Sequence, residues 1–153
     1  MKIIYFCATM ERKYNTSIAD TDWALINAAK QAALTAYAPY SHFNVGAAVL
    51  LSDGRIVKGS NQENKAYGSC VCAERVALLY ATANYSATPP VAIAICAMQN
   101  GTFVAHPVTP CGECRQVLME MQTRFQRPIK TIMYGEDYCY IAEDASELLP
   151  ASF

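Results

Sequence analysis

No block of lysine or arginine interrupts this chain of 153 residues, whose 12 basic and 13 acidic side chains leave a net charge of −1. A phosphate backbone is gripped through clustered cations, so nucleic acid is not an expected partner. Also missing is an apolar run near the roughly twenty residues that a membrane-spanning helix needs. The first ten residues carry a short apolar stretch, but Glu11-Arg12-Lys13 follows at once, and no small-residue cleavage site is evident. Seven cysteines is an odd number for a disulfide framework, and a chain of this size needs no such staples. A reducing, cytoplasmic setting is therefore expected, without a membrane partner. There is no internal repeat and no low-complexity segment. With 53% apolar residues the chain can fill a core, and residues 1–153 are expected to form a single domain. Residues 1–20 stand apart as an N-terminal extension without an assigned structure, in which residues 2–7 read as a short strand or as an arm on a partner subunit.

What is present begins with an amphipathic pattern. Asp20 or Thr21 offers an N-cap, and Leu25, Ala28, Ala29, Ala32, Ala33, Ala36 and Tyr37 follow at helical spacing, predicting a helix that ends before Pro39. Its alanine-rich face suits close packing on a sheet. Residues 45–51 are almost continuously apolar, as in a strand buried on both faces, and Asp53-Gly54 turns the chain back through 56–60. Helical periodicity resumes at Cys72 and runs to about Ala83. Residues 91–98 read as a buried strand ending near an Asn100-Gly101 turn. A helix from Cys111 carries Cys114, Val117, Leu118 and Met121 on one side. Strands over 128–134 and 138–142 and a short helix over 146–149 complete the chain. The alternation predicts an α/β fold, a mixed five-stranded sheet with helices on both faces.

The chemistry concentrates at the starts of two helices. Cys72 opens one, and Cys111 and Cys114, three residues apart, share a face of the other. Glu74 stands two residues after Cys72. Three thiolates, one open coordination position and a carboxylate that does not bind the metal form the set needed for zinc-activated water, as in a deaminase. Helix N-termini lower thiolate pKa values and favour metal binding. Three thiolates also leave a zinc site at net −1, which makes bound water harder to ionise. Arg75 is placed to supply compensating positive charge to the sulfurs.

Plainer readings exist. A lone Cys-x-x-Cys serves as a redox pair or as half of a structural zinc site, and a structural site takes four protein ligands, with Cys70 the obvious fourth. A closed four-cysteine site leaves Glu74 and the polar run Asn61-Gln62-Glu63-Asn64 without a role, so the open three-ligand site is preferred. Cys7, Cys96 and Cys139 sit in apolar, strand-like settings and read as small buried hydrophobes. His42 and His106 read as loop residues.

With these residues set out, the sequence resembles a cytidine deaminase of the small, homotetrameric class. The resemblance runs from about Ala36 to Phe153. It rests on Ala38-Pro39-Tyr40-Ser41-x-Phe43, Val45-Gly46-Ala47-Ala48, Asn61-x-Glu63-Asn64, Cys72-Ala73-Glu74-Arg75, Pro110-Cys111-x-x-Cys114-Arg115-Gln116 and Glu147-Leu148-Leu149-Pro150-x-x-Phe153. Asn44, Lys65 and Gly68 depart from the usual pattern without touching a site position. The resemblance implies the three-layer α/β/α sandwich of that family and hydrolysis of cytidine and deoxycytidine to uridine and deoxyuridine, with release of ammonia. It implies one zinc ion per subunit on Cys72, Cys111 and Cys114. Glu74 would move protons between water, ring N3 and the leaving ammonia. Asn61 and Glu63 would bind the ribose hydroxyls, Phe43 would pack on the pyrimidine, and the Ala73 backbone would read the base edge. Phe153 would stack in a neighbouring subunit's site, so that sites in a homotetramer are shared. The rival readings are a deaminase of a blasticidin-type nucleoside antibiotic and a non-enzymatic structural zinc module.

Overall fold

The structure, a computed structural model, describes residues 10–150 and Ser152. Its centre is β2 (Phe43–Leu51), whose residues alternate between two cores. Ala47, Val49 and Leu51 face one side, and Ala48 and Leu50 the other. Successive side chains of a strand point to opposite faces, so a strand covered on both sides must be apolar throughout, as this one is. The same alternation runs through β4 (Pro90–Gln99), with Ile93 and Ile95 against Ala92, Ala94 and Cys96.

Around this pair lie β1 (Glu11–Tyr14), β3 (Ile56–Ser60), β5 (Thr102–Phe103), β6 (Lys130–Tyr134) and β7 (Tyr138–Ala142). The sheet order is β1-β7-β6-β4-β2-β3, with β5 paired to β4. Only β4 and β6 run parallel among these pairs, joined by a crossover through α3 (Gly112–Phe125). The sheet is mixed as expected, but among the described residues it has seven strands rather than five. The two additions, β1 and β5, are short. β1 has the sequence Glu-Arg-Lys-Tyr and joins β7 by backbone pairing and by the Arg12 guanidinium lying over the Tyr138 ring, contacts that leave no alternating apolar pattern in its own sequence. The residue 2–7 reading lies outside the described residues.

α1 (Asp20–Ala33) covers one face with Leu25, Ile26, Ala29 and Ala33, while α2 (Ala73–Asn84) and α3 cover the other. The result is the three-layer α/β/α arrangement. The helices lie unusually close. A Cβ on Gly46 would come 2.1 Å from the Ala29 carbonyl oxygen, and one on Gly59 would come 2.5 Å from the Ala77 nitrogen. These two glycines let α1 and α2 press their alanine stripes directly on the strands.

One boundary differs. α1 stops at Ala33, although Ala36 and Tyr37 keep helical spacing. The Thr35 hydroxyl donates to the Ala32 carbonyl at 2.9 Å, competing with the next helical turn. Tyr37 instead lies extended beside Gln62, its N–H donating to the Asn61 carbonyl at 3.0 Å. That detour carries the 38–42 loop over to Glu63.

Candidate metal and substrate site

Cys72 is the N-cap of α2, Cys111 is the N-cap of α3, and Cys114 lies in the first turn of α3. Their sulfurs converge within 4.8 Å of one another, with Cys72–Cys111 at 3.7 Å and Cys111–Cys114 at 3.4 Å. A tetrahedral zinc with Zn–S bonds of about 2.3 Å separates its sulfurs by about 3.8 Å, so the cluster fits the ion on spacing and donor softness. Two helix N-termini aim their free N–H groups at one place, favouring the thiolate form. A hydrogen bond from Cys114, with help from Arg75 and against the effect of burial, brings the Cys72 thiol down to about 5. The same link to Cys72, together with burial, pushes Cys114 up.

Glu74 follows in the first turn of α2 and is buried, 4% exposed. Burial pushes its carboxyl up, and the charge of Cys72 adds to that. Cys72, Glu74 and Ala73 open on a cavity of about 200 Å³ whose other walls are Phe43 and Val45 on one side and Val108, Thr109 and Cys111 on the other. A second cavity of about 370 Å³ adjoins it, shares Asn61 and Cys72, and reaches Glu63, Cys70 and Arg75.

A match to the family of the cytidine and deoxycytidylate deaminase zinc-binding region spans residues 19–127. The chain belongs to that family. It is 44% identical over 131 residues to a cytidine deaminase of Halalkalibacterium halodurans, covering 84% of this chain and 91% of that one. It is 46% identical over 130 residues to a cytidine deaminase of Sporosarcina psychrophila, covering 84% and 88%. Among solved structures, the cytidine deaminase of Burkholderia pseudomallei superposes with a TM-score of 0.73 at 39% identity, over 89% of this chain and all of the other.

Within this deaminase fold the sequence-derived residues take distinct positions. Phe43, Asn61, Ala73 and Glu74 line the cavity beside Cys72 and Cys111. Asn61 continues the β2–β3 ladder through its side chain, accepting from the Val45 N–H at 2.7 Å and donating to the Phe43 carbonyl at 3.0 Å. Glu63 is held apart by the 38–42 loop: Oε2 accepts from the N–H groups of Tyr40 (2.9 Å) and Ser41 (3.2 Å), and the Ser41 hydroxyl donates to Oε1. Those bonds, the Ser41 hydroxyl first, keep the Glu63 carboxyl below its usual range. Arg75 reaches Glu113 at 3.0 Å and sets Nη2 3.9 Å from the Cys72 sulfur. Phe153 and Cys7 lie outside the described residues.

Cys70 does not join the cluster. Its sulfur accepts from the Asn64 N–H at 3.2 Å, and the metal-capable group among the described residues contains Cys72, Cys111 and Cys114. Cys96 and Cys139 are buried, and His42 and His106 are exposed. Four cavity residues carry no site role in the sequence reading: Val45, Ile95, Val108 and Thr109. Val45 shares a strand face with Phe43 and was within reach of pattern reasoning. The others arrive from β4 and from the loop before Cys111, and nothing in their spacing announces a site.

Proposed function

We propose that this protein hydrolyses cytidine and deoxycytidine to uridine and deoxyuridine, consuming one water and releasing one ammonia. The observation that carries the reading is the junction of three cysteine sulfurs, from two helix starts, with a buried carboxyl and an aromatic-walled cavity. Cys72, Cys111 and Cys114 would hold the zinc. When bound, such an ion polarises water and makes it a nucleophile near neutral pH. The remaining work falls to the chain. Glu74, its pKa raised by burial, can accept a proton, return it at pyrimidine N3, and later protonate the amino group that leaves as ammonia. Protonation at N3 is what turns C4 into an electrophile.

Phe43 supplies an aromatic face for the base, and the Ala73 backbone a hydrogen-bonding edge beside it. Glu63 keeps lone pairs for a ribose hydroxyl after serving Tyr40 and Ser41, and Asn61 keeps one N–H and one lone pair after bridging β2. Among the described residues no cation walls the smaller cavity, and Arg75 of the adjoining one is paired with Glu113, which suits a neutral nucleoside rather than a phosphorylated one. Residues 1–153 would act as one domain, with 1–20 as its N-terminal extension. The finer parts of the proposal are a cytoplasmic, homotetrameric enzyme of pyrimidine salvage, in which Phe153 completes a neighbour's site. Leu34, Tyr37, Tyr40 and Tyr67 are exposed in quantity, which supports such burial between subunits.

The deciding experiment combines ammonia release from cytidine with metal analysis. Glu74→Ala should keep its zinc and lose at least about a hundredfold in kcat, the scale of general acid–base assistance. Full activity in that variant would remove Glu74 from the proposal.

A further inference from the structure

Two arginines follow metal-site cysteines closely in this chain, and they face different partners. Arg75 turns toward Glu113 and the Cys72 sulfur. Arg115 makes its hydrogen bonds elsewhere. Its Nε donates to the Pro110 carbonyl at 2.8 Å, its Nη2 to the Thr109 hydroxyl at 3.3 Å, and its Nη1 to the Leu148 carbonyl at 3.3 Å. One guanidinium thus joins Thr109 and Pro110, just before it in the chain, to Leu148, 33 residues after it.

The first segment runs directly into Cys111, and its Val108 and Thr109 wall the cavity. Pro107 and Pro110 remove two N–H donors from it, so backbone bonding alone secures it poorly. The second segment is the 3-10 turn Ala145–Leu148, which is firmly anchored. Buried Gln122 of α3 accepts from the Ile129 N–H (2.7 Å) and the Ala145 N–H (2.9 Å), and donates to Asp144 Oδ1 at 2.8 Å. Asp144 in turn caps the turn through the Ser146 N–H at 2.8 Å, and Leu148 is buried in the core. A fixed point and a weakly bonded cavity wall are therefore linked by a planar fork whose three donors lie in one rigid plane.

We propose that Arg115 is a positioning residue for the substrate cavity, bracing the Val108–Cys111 wall against the C-terminal turn. The inference rests on the deaminase reading for its kinetic consequences. Its geometric content stands separately. Lysine offers a single ammonium point and cannot span the three acceptors, so Arg115→Lys tests the fork rather than the charge.

The test compares wild type, Arg115→Ala and Arg115→Lys, each checked for zinc content and melting temperature. Loss of a charged brace misplaces the wall without removing Glu74 or a sulfur. KM for cytidine should rise about tenfold in Arg115→Ala while kcat stays within about threefold and the acid limb of the pH profile is unmoved. Arg115→Lys should recover the melting temperature but not KM. Independently of turnover, amide hydrogen exchange in Arg115→Ala should quicken at residues 106–111 and 144–150 together. A fall in kcat with a shifted acid limb would overturn the proposal by making Arg115 an electrostatic partner of the metal site. A lowered melting temperature with unchanged KM would reduce it to a stability contact, and faster exchange in only one segment would break the brace. Wild type that released no ammonia would sink the deaminase reading, and the exchange result would still judge Arg115 by itself.

Discussion

At the scale of single residues, position relative to a helix start decides what each side chain can do. Cys72 and Glu74 are two residues apart, yet one faces the sulfur cluster with a depressed pKa and the other is a carboxyl whose pKa burial raises. Opposite shifts in neighbouring groups are what an acid–base site needs, because one group must stay ionised while the other exchanges protons. Arg75 ties these together. Its guanidinium stabilises negative charge at Cys72, so removing it makes every nearby deprotonation harder. Arg75→Gln should therefore lower kcat and move the acid limb of the pH–rate profile upward by about one unit, the low end of what a close opposite charge supplies. A profile identical to wild type would show that Arg75 serves Glu113 and structure only.

At the scale of elements, the site depends on how near α2 and α3 can bring their N-termini. Gly59 is the device on the α2 side. An added methyl would stand 2.5 Å from the Ala77 nitrogen and 2.6 Å from the Ala73 carbonyl, and backbone cannot yield as a flexible side chain could. Gly59→Ala should cost about 1–3 kcal/mol by overpacking, lowering the melting temperature by roughly 2–12 °C. Because the displaced helix carries Cys72 at its cap, zinc affinity should fall as well. Gly54→Ala is the control. Gly54 has open space around it but a φ of +88°, so alanine there strains a hairpin turn far from the cluster and should leave zinc affinity unchanged. Equal zinc affinity in the two variants would show that α2 packing does not set the metal site.

At the scale of the whole molecule, the cysteine cluster would become a crosslink on binding zinc. Cys72 and Cys111 lie 39 residues apart in sequence and cap different helices. A ligand that binds the folded chain and not the unfolded one raises stability by mass action. Chelation should lower the melting temperature in calorimetry, and zinc should restore it. A melting temperature indifferent to chelator would mean that the cluster does not couple the two helices. The proposed tetramer is checked by light scattering, which should return about four times the chain mass of 16.8 kDa. In that assembly the exposed Leu34, Tyr37 and Tyr67 would lose solvent, and a monomer at working concentration would leave the shared-site proposal without support.

Much of this was legible in the chain itself. Continuous apolar runs over 45–51 and 91–98, helical spacing before and after the cysteines, and the Cys-Ala-Glu and Cys-x-x-Cys runs determined the α/β class and the core. They also pointed to the three cysteines whose sulfurs the fold brings together, because local spacing is a property of sequence alone. Tertiary structure decided the rest. It added β1, whose polar side chains say nothing of the strand it joins, and it ended α1 early because the 35–38 segment pairs with residues 61–63. It brought Val108 and Thr109 to the cavity and set Arg115 between them and Leu148. Those features rest on contacts between distant segments, and a contact of that kind leaves no period in the sequence to be read.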